Sequence, residues 1–298
     1  MQITTDKITE IFYLADEFCQ EFKETIDKYL IGNSPKKKPT MTESEIISIL
    51  VLFHLGSFRN MKHFYLYYVK LHLKSEFPNT VSYNRFIELT RNVCIPMSLF
   101  LKSCCMGNCT GISFVDSTPL RVCKNKRIRN NKVFKGIATV GKSTMGWFYG
   151  FKLHLIINDK GEILNFVITQ ANVDDREPLK NSKFVEILKG KLYADKGYIS
   201  KGLADILFVN GLHIITSIRN NMKNVLMELK DKILLRKRSV IETVNDELKN
   251  MCQIEHSRHR SFTNFIANTI AALIAYSFFP KKPSIKYDVE ITDQITLF

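Results

Sequence analysis

Between residues 111 and 218 the chain changes period several times, and the order of those changes narrows the fold more than any other feature. GISFVDST (111–118) is β-branched and aromatic, and reads as a strand. WFYGFKLHLIIND (147–159) alternates as a long strand does, Asn158-Asp159-Lys160-Gly161 is its turn, and EILNFVITQAN (162–172) is the returning strand. DDREPLKNSKFVEILK (174–189) reads as a helix with Asp174 or Asp175 near its N-cap, and KLYADKGY (191–198) as a short strand ending at Gly197. SKGLADILFVNG (200–211) is a helix stopped by Gly211, and HIITSI (213–218) a last strand, followed by a helix. Three strands in a meander and then strand–helix alternation predict a mixed five-stranded sheet flanked by helices.

That order matches the RNase H-like fold. Residues 1–108, in contrast, read as all-helical. An amphipathic helix over 8–30 is followed by the basic linker GNSPKKKPTM (32–41). Thr42 and Glu45 have capping-box spacing ahead of an apolar run over 46–55, which Gly56 stops. NMKHFYLYYVKLHL (60–73) is an aromatic-rich helix, and SYNRFIELTRN (82–92) a shorter one with Ser82 as its N-cap. Short helices flanked by Arg and Lys suit a helix-turn-helix-like DNA reader. They suit a small packing bundle equally well, and the spacing does not decide. The expected division is a helical part over 1–108 with possible DNA-end binding, a catalytic α/β domain over 109–280, and a tail over 281–298.

Partners follow from charge. The chain of 298 residues carries a formal net charge of +14, with a pI near 9.4, while its 45% hydrophobic content builds a sizeable core. Such an excess of cations favours polyanions, nucleic acid first. No membrane span is expected: residues 46–55 are too short, and NFIANTIAALIAYSFF (264–279), interrupted by Asn268 and Thr269, reads as a buried helix. MQITTDKITE lacks a secretory pattern, and seven scattered cysteines without one read as reduced thiols of a cytoplasmic protein. Cys104, Cys105 and Cys109 cluster without a C-x-x-C pair or matching His, so buried thiols are expected there rather than zinc.

Asp116 sits in the first strand and Asp195 ends the fourth. In an RNase H-like sheet those strands are neighbours, so the two carboxylates lie side by side. Like charges at close range raise one pKa, and a divalent cation relieves the repulsion. Mg²⁺ takes hard oxygen ligands, and two such ions roughly 4 Å apart activate an attacking hydroxyl and stabilise the leaving oxygen of a phosphodiester.

A third acid is expected on the helix within RKRSVIETVNDELKN (236–250). At about 100° per residue, Arg238, Glu242 and Lys249 fall within roughly 40° of one another, opposite Val240, Ile241, Val244, Leu248 and Met251. Glu247 is roughly 140° from Glu242, at the apolar border, whereas Asp246 lies within about 40° and angle alone does not remove it. An exposed Arg238–Glu242–Asp246 network is the alternative.

Together D116-S-T, A-D195-K-G-Y and R238-x3-E242-x6-K249 resemble the DDE transposases of bacterial insertion sequences. The signature known in that group begins with a Tyr three residues before the Arg, where this chain has Leu235. The whole layout, including STPLRVCKNKRIRNNKVFKG after the first Asp, most resembles the insertion sequence 982 type. The resemblance implies Asp116, Asp195 and Glu242 as catalytic ligands of Mg²⁺, with Mn²⁺ as substitute and two ions in all. It makes Arg238 and Lys249 DNA contacts. It implies cleavage at the element's ends, transfer of the freed 3′-hydroxyl to target DNA, and a dimer or larger assembly to synapse two ends. The rival readings are a metal-dependent nuclease that never joins and a non-catalytic DNA-binding regulator.

Further DNA contacts are expected from Arg121, Lys124, Lys126, Arg127, Arg129, Lys132 and Lys135, in a segment read as a flexible excursion between strands one and two, and from Arg258 and Arg260 in HSRHR. A solvated loop is the alternative for both. Asp174 and Asp175 are expected to cap their helix. His154 is expected to be a hydrogen-bonded core residue or to approach the Asp116 site. Trp147, the only tryptophan, is expected in the core, or else stacked on a displaced base.

Overall fold

The structure is a computed structural model that describes residues 3–28, 39–218, 227–255 and 259–286. Its helical layer begins with α1 (Thr5–Asp27) and α2 (Glu43–Leu55). The Thr42 hydroxyl accepts from the Glu45 backbone N–H, and the Glu45 carboxylate accepts from that of Thr42, so the capping box is closed. Residues 61–72 form one helical rod, α3 (Met61–His63) and α4 (Lys70–His72) joined by a π-helix over Phe64–Val69. Ser82 caps α5 (Tyr83–Asn92), and α6 (Cys94–Cys104) follows.

The sheet holds β1 (Ile112–Cys123), β2 (Thr139–Ser143), β3 (Gly146–Asn158), β4 (Ile163–Gln170), β5 (Gly190–Ala194) and β6 (Leu212–Thr216). The path β2-β3-β1-β5-β6 is continuous, and β4 also pairs with β3. β2 takes the first residues of β3 and β4 the later ones, so these two strands lie end to end on one edge. With β2 set aside the order is β4-β3-β1-β5-β6, antiparallel within the meander and parallel at β5 and β6. This is the RNase H-like arrangement, with one strand more than expected. β1 is also longer than expected: it runs through Pro119 to Cys123, bulging at Val122 where Gly150 approaches closely. A Cβ on Gly150 would strike the Leu120 carbonyl oxygen.

Alternation along β1 and β3 sorts side chains into two cores. Phe114, Leu120, Leu153, Leu155 and Ile157 join the larger, with α1, α2, α6 and α11 (Phe262–Ser277). Val115, Ile156, Leu164, Leu192 and Ala194 join the smaller, with α7 (Ser182–Val185) and α8 (Lys201–Val209). Helix α11 is buried along nearly its whole length between the first helices and the sheet. Its Tyr276 hydroxyl donates to the Gly161 carbonyl (2.6 Å), fixing the β3–β4 turn. No described helix is long and apolar enough to cross a membrane.

The helix expected over 174–189 is instead a turn, a 3₁₀ turn at Pro178–Lys180 and the short α7. Pro178 starts the first piece and Asn181 caps the second, so the run has two starts and no continuous hydrogen-bond ladder. The stretch 236–250 is likewise interrupted. α9 (Leu229–Arg236) ends before α10 (Ser239–Asp246), and a π-helix at Glu247–Met251 follows. Buried Asp231 of α9 accepts from Lys191 Nζ (2.8 Å) and the Tyr193 hydroxyl (2.7 Å), tying this region to β5. Most of the linker over 32–41, part of the basic segment at 219–226, Arg258 and the tail beyond 286 lie outside the described residues.

Candidate active site

Side chains of directly paired strand residues share a face. Asp116 pairs with Leu155 and therefore points to the larger core, toward α10. There Asn245 Nδ2 donates to Asp116 Oδ2 (3.1 Å). In the parallel ladder Phe114 stands opposite Tyr193, so two residues further on Asp116 comes level with Asp195. Asp195 has just left β5. Its Oδ1 accepts from the Lys196 N–H (2.6 Å), capping the 3₁₀ turn Lys196–Tyr198. Buried Tyr198 anchors that turn, and its hydroxyl resists ionisation because it is buried and faces the charges of Asp116 and Asp175.

Glu242 projects from the first turn of α10 into solvent, its Oε1 2.7 Å from Arg238 Nη2. The neighbouring charges at Asp116 link these groups. Burial pushes the Asp116 carboxyl up to about 6; Arg238 opposes this, and Glu242 and Asp195 add to it. The three acids expected to act together thus share one electrostatic neighbourhood. Asp246 is turned elsewhere: it accepts from Asn250 Nδ2 (2.6 Å) and bears on Glu247 and Lys249. Glu247 faces inward with one carboxylate oxygen buried and unpartnered, and burial followed by Asp246 raises its pKa.

The angular count along this helix holds through Leu248, which is buried as expected, and fails at Met251. In the π-turn the Cys252 N–H bonds to the Glu247 carbonyl, five residues back. The wider turn swings Met251, expected on the apolar face, to 38% exposed, and Cys252 is buried instead. Lys249 still feels Asp116, together with Glu255 and Arg121, and its burial lowers its pKa. Glu255 Oε1 accepts from the Arg121 backbone N–H (2.9 Å) and its Oε2 lies 3.9 Å from Lys249 Nζ. Asn245 and Glu255 were not among the residues expected at the site. Asn245, three residues past Glu242 on the same helix, is the one that spacing could have found; nothing local marks Glu255.

The donor set suits Mg²⁺ chemically: all three acids offer hard oxygen, and Asp116 carries a repulsion that a cation would relieve. Among the described residues, however, no three His, Cys, Asp or Glu side chains stand as a ready metal cage. The Glu242 side chain is engaged by Arg238 and would have to turn to complete one.

The remaining expected contacts divide by position. Arg238 and Lys249 bear electrostatically on Asp116, and Arg121 bears on Lys249. Lys124, Lys126, Arg127, Arg129, Lys132 and Lys135 are exposed beyond the far end of β1, where the expected flexible excursion includes a 3₁₀ turn at Asn125–Arg127. Arg260 lies by Tyr83 of α5. His154 is buried on the opposite face from Asp116, its Nε2 2.8 Å from the Thr169 hydroxyl. Asp174 forms a two-point pair with Arg176, which holds its carboxyl well below the usual range, and Asp175 accepts from Lys152 Nζ (2.8 Å). Trp147 is not in the core: it is 61% exposed.

Residues 106–262, more than half the chain, match the family described as Transposase DDE domain. No curated protein matches in sequence. A solved structure of a piggyBac transposase synaptic complex with hairpin DNA matches at 14% identity and a TM-score of 0.40, over 92% of this chain and 73% of that one.

Proposed function

We propose that this chain, which belongs to the transposase DDE-domain family, cleaves DNA at the ends of a mobile element of the insertion sequence 982 type and joins the freed 3′-hydroxyl to target DNA. The observation that carries the reading is that Asp116 of β1 comes level with Asp195, just past the end of the parallel neighbour β5, and that Asp195 and Glu242 both bear electrostatically on Asp116. Asp116, Asp195 and Glu242 would hold divalent ions, Mg²⁺ or Mn²⁺, two in number. Once bound, such ions supply an activated attacking oxygen and charge for the leaving one.

The chain's own residues do the rest. Asn245 fixes the orientation of Asp116 through its amide hydrogen bond. Arg238 offsets the negative charge of the acid set, and its guanidinium is free to turn to a phosphate when Glu242 leaves it. Lys249, half-buried and steadied by Glu255, offers a second cation to the DNA backbone. Both cleavage and joining attack phosphorus, so one set of acids serves both and no covalent protein–DNA intermediate is needed. Residues 1–108 are assigned by role, as a grip on the element's ends, although they share a core with α11. Synapsis of two ends calls for at least a dimer.

The test is incubation of the purified protein with labelled element ends and Mg²⁺ or Mn²⁺. Joined products support transposition. Cleavage without joining replaces it with a nuclease, and binding without either replaces it with a regulator.

A further inference from the structure

The β2–β3 hairpin leaves the body of the sheet carrying an unusual surface. Trp147 is 61% exposed, and Met145 at the tip 83%. Lys142 pairs directly with Trp147 across the ladder, and its ammonium lies 5.8 Å from the ring centroid. The indole is presented from a firm base. Asn125 Nδ2 donates to the Trp147 carbonyl (2.9 Å), and the hairpin's other face is seated, with Phe148 buried and Gly141 against Ala171 so closely that a Cβ would collide. Exposed cations at Lys124, Lys126, Arg127, Arg129, Lys132 and Lys135 occupy the segment that Asn125 ties to this strand.

Trp147 also has a fixed relation to the acids. It lies eight residues before Leu155, the partner of Asp116, so by strand alternation both project from the same face of the sheet. At a rise of about 3.4 Å per residue the separation along β3 is up to about 27 Å. A duplex following the arm would cover roughly eight base pairs in that distance, at about 3.4 Å per pair.

We infer that Trp147 stacks on a base displaced from the DNA duplex, so that the hairpin arm distorts the double helix at a set distance from the phosphate being cut. An exposed aromatic face beside lysine and arginine is the surface that single bases recognise, by stacking together with charge, and it tolerates any base. A large flat side chain next to a kinkable step can hold the duplex open. The inference rests on the transposase reading for its DNA, yet it can fail separately.

Because Trp147 is the chain's only tryptophan, its own fluorescence is the probe. The full-length protein is titrated with a fully paired duplex and with the same duplex carrying a central mismatch, while anisotropy of a dye on the DNA reports binding independently. Expected are quenching of the indole on saturation, deeper with the mismatch, and a loss of about tenfold in mismatch affinity for Trp147→Ala that Trp147→Phe largely restores. Binding by anisotropy with unchanged indole emission overturns the inference. So does quenching that appears on concentrating the protein without DNA, which would seat a second copy there. DNA-dependent quenching in a protein that neither cuts nor joins sinks the transposase reading and leaves the stacking role standing.

Discussion

The two ends of the β1–β3 ladder are opposites. At one end Ser113 and Phe114 are buried and paired on both sides, Val115 is buried and paired with β3, and the next residue is Asp116. At the other end Arg121 to Cys123 have left β5 behind, the strand bulges, and the surface is exposed Lys, Arg and one Trp. The buried end holds a few oxygens in place, as chemistry demands; the free end spreads charge, as grip on a polymer demands. The proposed function calls for both, and on that reading a single pair of strands would provide them.

If that division is right, substitutions at the two ends should fail in different ways. The largest effect is expected at the buried end: Asp116→Ala, Asp195→Ala or Glu242→Ala should lower metal-dependent cleavage by at least about 10⁴-fold, as loss of a central catalytic group does, with DNA binding by gel shift retained. Loss of binding alongside cleavage would erase the distinction. Next, Leu273→Ala, in the larger core, should cost about 3 kcal/mol in a single unfolding transition, since the helical layer and the sheet share this cluster. Two separate transitions in calorimetry would show that they are independent.

Acid should weaken the same core. Burial lowers the pKa of His54 from 6.5 to about 4. The unfolded chain therefore takes up the proton first, and stability falls as pH drops from 6.5 toward 4, by about 1.4 kcal/mol per unit and about 3 kcal/mol in all. Urea melts across this range should lose about one proton's worth of slope in His54→Gln. At the free end, Lys124→Ala, Lys126→Ala or Arg127→Ala should each flatten the salt dependence of DNA affinity by roughly one unit, with little sequence preference. The smallest effect is expected from Glu247→Gln, which should keep cleavage and leave thermal stability within about 0.5 kcal/mol. A dead Glu247→Gln beside an active Glu242→Ala would move the third acid to 247.

The buried end was the more legible of the two in the amino-acid sequence, because its rules are periodic. Alternation placed β1, β3 and β4, and the capping box at Thr42 and Glu45 placed the start of α2. Strand order put Asp116 and Asp195 side by side and helical spacing put Glu242 and Arg238 on one face, while the grouping of the three acids as one set came from the family resemblance. What escaped depends on events without a period. The π-turn at Glu247–Met251 inserts a wider hydrogen bond that no apolar repeat announces, so Met251 was placed on the wrong face. Pro178 and Asn181 split a helix that its apolar residues suggested was whole. Trp147 was expected inside because large aromatics usually are; only the hairpin formed with β2, a strand hidden in GKS, shows that it stands largely exposed.

The position of α11 also bears on how the chain comes off the ribosome. α1 packs on α2 and α6, but α2 also needs α11, more than two hundred residues downstream, and the His54 ring waits for the carbonyl of Cys252 (2.6 Å). Through most of synthesis the earliest helices therefore expose apolar faces, and closure of the fold is delayed until residue 277 has emerged. A message broken before α11 would release a sticky fragment, not a half-working enzyme.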